Sequence, residues 1–221
     1  MKSTTAKLGL MIAIGSVVLG SALAGTLDPP GPPAPSMVTL QQIYDKLGAP
    51  ASVARSGQTG CWDVSGTAVI CAGTGQDGAL QKGVSVSPRF TDNANGTVKD
   101  NLTGLIWLKN ASCFGQQTWT SALASSNTLA SGACGLTDGS AAGAWRLANI
   151  KELQSVIDFG QFLPALPAGH PFSAVQFGEY WSSTSDVGNP QFASYVVVGR
   201  GFVNIGFKGD PYYVWPVRGG Q

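Results

Sequence analysis

Apolar and polar residues alternate through the C-terminal part of the chain, which is typical of half-buried strands. The alternation predicts three strands joined by turns at 199–201 and 209–211, both of which contain glycine. The three predicted strands cover residues 192–198, 202–207 and 212–217. Because consecutive strands joined by short turns pair antiparallel, the sequence predicts a β-meander.

The middle strand of this meander is predicted to have two different faces, since successive side chains of a strand point to opposite sides. Val203, Ile205 and Phe207 share one face, which is predicted to be core. Phe202 and Asn204 share the opposite face. That second face is therefore available to solvent or to a ligand.

A short helix is predicted over residues 37–48, where apolar residues follow helical spacing before Gly48. Leu40, Ile43 and Leu47 form one stripe at the a and d spacing of a coiled coil. The stripe is short for a coiled coil. Two uses remain open for it: pairing with another copy of the chain, or docking on the chain's own domain.

Two further helices are predicted over residues 118–130 and 149–157. Thr118 is a candidate N-cap for the first helix. Asn149 and Glu152 have the spacing of a capping pair for the second helix.

The N-terminal residues 1–24 have the three parts of a secretory signal. Lys2 and Lys7 precede an apolar stretch over 8–19, and Ala22-Leu23-Ala24 forms an A-x-A cleavage site. We therefore expect an exported protein, secreted or held at the cell surface, in an oxidising compartment. A proline-rich spacer is predicted to follow over residues 25–36.

Charge is low throughout the chain. Charged residues make up 11%, and 13 basic against 12 acidic residues give a formal net charge of +1. Removal of Lys2 and Lys7 with the signal would leave 11 basic residues and a net charge of −1. This balance excludes nucleic-acid binding by bulk charge and gives no general attraction to anionic membranes. Any binding must come from a local site.

Four cysteines in an exported chain indicate disulfides. Of the three connectivities that four cysteines allow, Cys61 with Cys71 is favoured, because the segment between them is symmetric about Gly66 and is typical of a hairpin. That pairing leaves Cys113 with Cys134. Zinc is disfavoured because the chain has one histidine and no C-x-x-C pair.

No cofactor is predicted, and calcium stays open as an alternative that no complete loop supports. The stretch 92–100 is similar to part of a calcium loop, but Ala94 occupies a position that needs an oxygen ligand. Asn95-Gly96 between two apolar segments instead predicts a hairpin turn. Catalysis is not predicted either, because His170 has no serine or cysteine nucleophile motif beside it.

Several sequence blocks follow one another between residues 90 and 218. The blocks are Phe90-Thr91-Asp92-Asn93, Gly96-Thr97-Val98, Asp100-Asn101-Leu102-Thr103-Gly104-Leu105-Ile106-Trp107, Trp145-Arg146-Leu147, Lys151-Glu152-Leu153-Gln154, Tyr180-Trp181-Ser182-Ser183-Thr184-Ser185 and Tyr213-Val214-Trp215-Pro216-Val217-Arg218. Together they resemble the Lcl C-terminal domain family of exported bacterial domains. The resemblance implies an α+β, C-type lectin-like domain, similar to the fold of formylglycine-generating enzyme, with a twisted antiparallel sheet and two helices. This domain is expected over residues 88–221, after a disulfide hairpin with turns over 57–87.

A binding surface on the C-terminal strands and loops is also implied by the resemblance, since the family includes an adhesin that binds sulfated polysaccharides. The candidate ligand-binding residues are Arg200, Phe202, Asn204, Lys208, Asp210, Tyr212 and Tyr213. They mix aromatic rings with varied hydrogen-bonding groups, but they hold few cations for sulfate. We expect a recognition or adhesion module for a glycan or protein ligand, which can form a homo-oligomer through the helix at 39–47. The alternatives are a structural subunit of a surface assembly and a secreted hydrolase with a carboxylate pair.

Overall fold

The computed structural model describes residues 53–219. The helices in this range are α1 (Asp77–Leu80), α2 (Trp119–Thr128) and α3 (Ile150–Ser155). The strands are β1 (Phe90–Asp92), β2 (Thr97–Asp100), β3 (Ile106–Leu108), β4 (Gln116–Gln117), β5 (Arg146–Leu147), β6 (Glu179–Ser185), β7 (Phe192–Val197), β8 (Phe202–Phe207), β9 (Tyr212–Tyr213) and β10 (Pro216–Arg218). The predicted α+β class is confirmed. The predicted signal, proline-rich spacer and helix over 37–48 lie outside the described residues.

The first sheet has the strand order β1-β2-β3-β10-β5, with every neighbouring pair antiparallel. β1 and β2 form the hairpin predicted from Asn95-Gly96. Gly96 has a φ of +83°, and a Cβ there would lie 2.3 Å from the carbonyl oxygen of Gly135. Only glycine fits such a position. Asp92, which begins the loop that is similar to a calcium site, bonds Lys109 Nζ at 2.7 Å.

The second sheet has the order β4-β9-β6-β7-β8, so β8 lies at its edge. β7 and β8 form the antiparallel hairpin that the sequence predicted, in continuous register from Phe192 opposite Phe207 to Val197 opposite Phe202. The presence of two sheets differs from the single sheet implied by the resemblance.

The prediction that a third meander strand follows β8 is wrong. Residues 212–217 do not form one strand beside β8. β9 instead pairs with β4 and, in parallel, with β6, while β10 crosses to the first sheet and pairs with β3 and β5. The Asp210 amide bonds the Phe207 carbonyl at 2.8 Å, which closes the turn after β8. The Tyr212 ring then lies over Gly206, so the chain passes across β8 rather than alongside it.

The two predicted helices in the described range are confirmed, and both are shorter than predicted. The Asn149 side chain accepts from the Glu152 amide at 3.0 Å, and Glu152 Oε2 accepts from the Asn149 amide at 2.8 Å, which completes the predicted capping box. Glu152 also receives two hydrogen bonds of 2.7 Å from Arg146. α3 is thereby tied to β5. Thr118 precedes α2 but makes no capping bond with its side chain.

Three tryptophans, Trp107, Trp145 and Trp215, are fully buried in the main core. Trp181 is also fully buried, in a second cluster with Ala122 and Leu147. Trp215 donates from Nε1 to the Leu108 carbonyl at 2.9 Å, and its ring packs edge-on against Phe172. Residues of both sheets contribute to this core. Such burial supplies the main stabilising term of the fold.

Both predicted disulfides, Cys61–Cys71 and Cys113–Cys134, are confirmed. Cys61 and Cys71 clasp a turn centred on Gly66, as the symmetry of the segment predicted. These bonds are compatible with an exported protein in an oxidising environment. None of the helices found between residues 53 and 219 has the length and hydrophobicity needed to cross a bilayer.

Candidate functional site

The second sheet presents two faces, which are set by the pairing of β6, β7 and β8. Trp181, Tyr195 and Asn204 are cross-strand partners and share one side of the sheet. We call this side the tyrosine face. It comprises Glu179, Trp181, Tyr195, Phe202, Asn204 and Tyr212. The opposite side, with Tyr180 and Val196, packs into the main core.

The tyrosine face brings together four of the seven predicted ligand-binding residues. Phe202 and Asn204 lie on β8, and both are exposed, Phe202 to 57%. Tyr212 reaches the same face from β9, and Asp210 lies beside it in the turn after β8, with 3.5 Å between Tyr212 Oη and Asp210 Oδ2. The face therefore offers an aromatic ring, an amide and a carboxylate at neighbouring positions.

Tyr212 is held in a cluster of aromatic rings. Its ring centre lies 4.3 Å from that of Trp181 and 4.9 Å from that of Tyr195. On β8 the ring is accommodated by Gly206, where a Cβ would lie 2.6 Å from it. Burial, followed by the negative charge of Asp210, raises the pKa of Tyr212 to about 12. The phenol is therefore neutral at physiological pH and keeps its hydrogen-bond donor.

Lys208 is engaged within the protein. Its Nζ lies 4.0 Å from the centre of the Trp119 ring and donates to Ser185 Oγ at 2.7 Å and to the Pro190 carbonyl at 2.9 Å. A cation over an aromatic ring and two hydrogen bonds together fix this side chain. Lys208 thus braces the end of β8 against α2.

Arg200 and Tyr213 lie apart from the other predicted residues. Arg200 occupies the turn between β7 and β8, where its guanidinium packs over the Phe162 ring at 5.2 Å. Tyr213 lies on the core side of the sheet, with its ring 5.3 Å from that of Tyr180. Alternation along β9 separates it from Tyr212. The predicted set is therefore divided among four places: the tyrosine face, the end of β8, the turn between β7 and β8, and the core side of the sheet.

Trp181 lies on this side of the sheet but is fully buried. Sequence reasoning missed Glu179 and Tyr195 as members of this face. They come from β6 and β7, and only the strand register places them beside Asn204. No ion pair engages Glu179 or Asp210 within residues 53–219. These two carboxylates can accept hydrogen bonds from a ligand.

The core side of β8 is not buried, which corrects a prediction. Val203, Ile205 and Phe207 are 43%, 45% and 47% exposed, although the sequence predicted them as core. The reason is the position of β8: α3 packs on β6 and β7, and no strand of the described domain lies beyond β8. An apolar row is therefore left at the edge of the sheet.

A separate cleft of about 270 Å³ lies between the segment before β1 and the main domain. Its charged lining residues are Arg55, Arg89 and Asp158. Arg89 is already committed, because it forms two hydrogen bonds of 2.8 Å to the buried Asp100. The ion pair between Arg89 and Asp100 therefore fixes one wall of the cleft and leaves Arg89 engaged within the protein.

His170 is half-buried, and its Nδ1 has no hydrogen-bond partner among the described residues. Burial lowers the pKa of this imidazole below its usual value. Between residues 53 and 219 no three His, Cys, Asp or Glu side chains are grouped as metal ligands.

Comparison with known proteins gives one family. The Lcl C-terminal domain family matches residues 96–218. The match covers more than half of the 221 residues, and the chain therefore belongs to this family. It begins after the first of the resembling blocks and includes every strand of both sheets except β1. No curated protein matches the chain.

Proposed function

We propose that this member of the Lcl C-terminal domain family is an exported bacterial recognition module that binds a surface glycan or protein through its tyrosine face. The observation that carries the proposal is the composition of that face. An exposed Phe202, an exposed Asn204 and two carboxylates without ion-pair partners surround a fixed aromatic cluster. Mixtures of this kind suit recognition, because aromatic rings supply contact area and polar groups supply orientation.

Rigidity of the surface supports the same proposal. Tyr212 is wedged between Trp181 and β8, and the Trp181 Nε1 donates to the Gln117 carbonyl at 2.9 Å. Lys208 fixes the end of β8 through its contacts with Trp119 and Ser185. A preformed surface loses little conformational entropy on binding, and this favours affinity.

The charges favour a ligand other than a sulfated polymer. The cations at the C-terminal strands are Arg200, Lys208 and Arg218. Arg200 packs over Phe162, Lys208 is engaged within the protein, and Arg218 pairs with Asp138 at 2.9 Å. Sulfate recognition needs several free cations that converge on one place. The free charges beside the tyrosine face are instead the carboxylates of Glu179 and Asp210.

The proposed role is binding without catalysis. Adhesion requires a stable surface and no reacting group, which agrees with a face built from aromatic rings, an amide and carboxylates. The hydrolase alternative would require two carboxyl groups that flank a scissile bond at a defined separation. In this proposal the Glu179 and Asp210 carboxylates accept hydrogen bonds from the ligand, and no residue is assigned a catalytic role.

The test is a glycan and surface-protein array probed with the protein purified after export to an oxidising compartment. The double variant Phe202→Ala/Asn204→Ala removes two exposed groups of the tyrosine face. Phe177→Ala is the matched control, because Phe177 is 53% exposed and belongs to no strand. We expect selective binding that the control retains and the double variant loses. Absence of binding by the wild type, or its survival in the double variant, would contradict the proposal.

A further inference from the structure

β8 is an edge strand without the features that usually protect an edge from pairing. From Phe202 to Phe207 it contains no charged residue and no proline, and its register with β7 has no bulge. Natural edge strands are commonly blunted by charges, prolines, bulges or very short length. Because its apolar row is exposed and its edge is unprotected, β8 is suited to pair with another strand.

The backbone of β8 has polar groups that point away from the sheet. The Lys208 amide donates inward to the Gln191 carbonyl at 2.9 Å. Because N–H groups alternate in direction along a strand, the amides of odd-numbered residues point outward. The Ile205 amide accordingly bonds no strand and instead donates to the side-chain oxygen of Asn204 at 2.9 Å.

We propose that β8 pairs antiparallel with β8 of a second copy of this chain, about a twofold axis at Ile205. The proposal does not rest on ligand binding by the tyrosine face, although β8 contributes Phe202 and Asn204 to that face. In this register each Ile205 amide leaves the Asn204 side-chain oxygen and donates to the Ile205 carbonyl of the other copy. Val203 faces Phe207 of the partner subunit. The apolar row of each copy continues into that of the other, as an isologous interface requires.

Charge is compatible with the same register. The nearest ionisable residue on the strand is Lys208, which follows Phe207 directly. Twofold pairing places it opposite Phe202 of the partner subunit, so the two Lys208 residues stand at opposite ends of the joined strands. No like charges are opposed, and aromatic or apolar pairs occupy the other positions on the core side. This self-complementarity favours a second copy over an unrelated extended peptide.

The test uses two cysteine variants on the same strand and face. Ile205→Cys places the new thiols directly opposite each other in the proposed register, within the Cα separation that a disulfide spans. Val203→Cys is the matched control, since its exposure of 43% is close to the 45% of Ile205, but position 203 faces position 207 of the partner subunit. We expect oxidation to give a covalent dimer for Ile205→Cys alone. Equal cross-linking of both variants, or of neither, would overturn the proposed register.

Sedimentation equilibrium of the native sequence provides the second readout. We expect a concentration-dependent dimer that Ile205→Lys weakens by at least roughly tenfold, because two lysines would then meet on the axis. Val187→Lys, at an exposed position outside the strands, should leave the dimer intact. A native sequence that stays monomeric, or an Ile205→Lys variant that dimerises equally well, would overturn the proposal. Ligand binding measured on Ile205→Lys separates this result from a failure of the recognition proposal.

Discussion

The two sheets bury similar apolar strands to very different extents. β10 lies between β3 and β5, and its Val217 is fully buried. β8 is more apolar over its length, yet Val203 and Ile205 remain almost half exposed. The difference comes from the place of each strand in its sheet, since a central strand has neighbours on both sides and an edge strand has one. Local composition alone does not decide which strands become core.

The exposed surfaces are concentrated in one of the two sheets. The first sheet carries the buried Trp107 and the ion pair between Arg89 and Asp100. The second sheet buries Tyr180 and Val196 but also carries the tyrosine face and the free edge of β8. Substitutions at buried positions of either sheet should therefore affect stability, and substitutions at exposed positions of the second sheet should affect binding and association.

The largest expected effect is that of Trp215→Ala. Trp215 is fully buried, donates to Leu108 and packs against Trp107 at 5.3 Å between ring centres. Loss of a buried tryptophan costs about 3–5 kcal/mol in the free energy of unfolding. Urea denaturation of Trp215→Ala and of Trp62→Ala, whose side chain is exposed, provides the comparison. Similar losses in both variants would contradict the assignment of the core.

Arg89→Met should have the next largest effect, a loss of about 3 kcal/mol in the free energy of unfolding. The substitution leaves the fully buried Asp100 carboxylate without its cation. Burial opposes ionisation of Asp100, but the hydrogen bonds and charge of Arg89 outweigh it and hold the pKa of Asp100 below its usual value. The stability from this pair is thus complete above the unfolded pKa and is lost as the pH falls through the folded pKa. Acid unfolding followed by circular dichroism should shift to higher pH in the variant.

An unchanged acid transition in Arg89→Met would show that other groups control it. Lys109→Met is the control for that measurement, since Lys109 forms an exposed pair with Asp92. Exposed pairs contribute little to stability. The control should therefore unfold at nearly the native pH.

Gly206→Ala should have an intermediate effect, confined to the second sheet. The new methyl group would lie 2.6 Å from the Tyr212 ring, so the ring must leave its place against Trp181, at a cost of about 1–3 kcal/mol. The folded pKa of Tyr212 is raised to about 12, so its contribution to stability is complete below pH 10 and is lost as the pH rises through 12. Ultraviolet titration should show one tyrosine that ionises at a lower pH in the variant than in the native protein. If that tyrosine still ionises at the native pH, the packing of Tyr212 on β8 would be contradicted.

The sequence predicted those elements whose signals are local. The capping box of Asn149 and Glu152, the turn at Asn95-Gly96 and the clasp of Cys61 with Cys71 depend on residues close together in the chain, and all three are present. Their geometry is set by short-range hydrogen bonding and turn chemistry, which the residue types disclose.

The sequence did not predict the features that depend on strand order. The departure of residues 212–217 from β8 follows from the packing of Tyr212 over Gly206, a contact that alternation of apolar residues does not reveal. The tyrosine face likewise needs the register of β6 against β7, which places Trp181 beside Tyr195. Tyr213 belongs to the predicted ligand-binding set for its aromatic ring and hydrogen-bonding group, yet it lies on the other side of the sheet.

The smallest expected effect comes from making the same substitution, valine to alanine, in each of the two sheets. Val217→Ala removes two methyl groups from a fully buried site and should cost about 2 kcal/mol, whereas Val203→Ala acts on a side chain that is 43% exposed and should cost about 0.5 kcal/mol. Both residues lie in strands, so differences in strand propensity largely cancel. Chemical denaturation at low protein concentration, where association of β8 is minimal, isolates the effect of burial. Equal costs would mean that β8 is covered in solution, and the contrast between a central strand and a free edge would then fail.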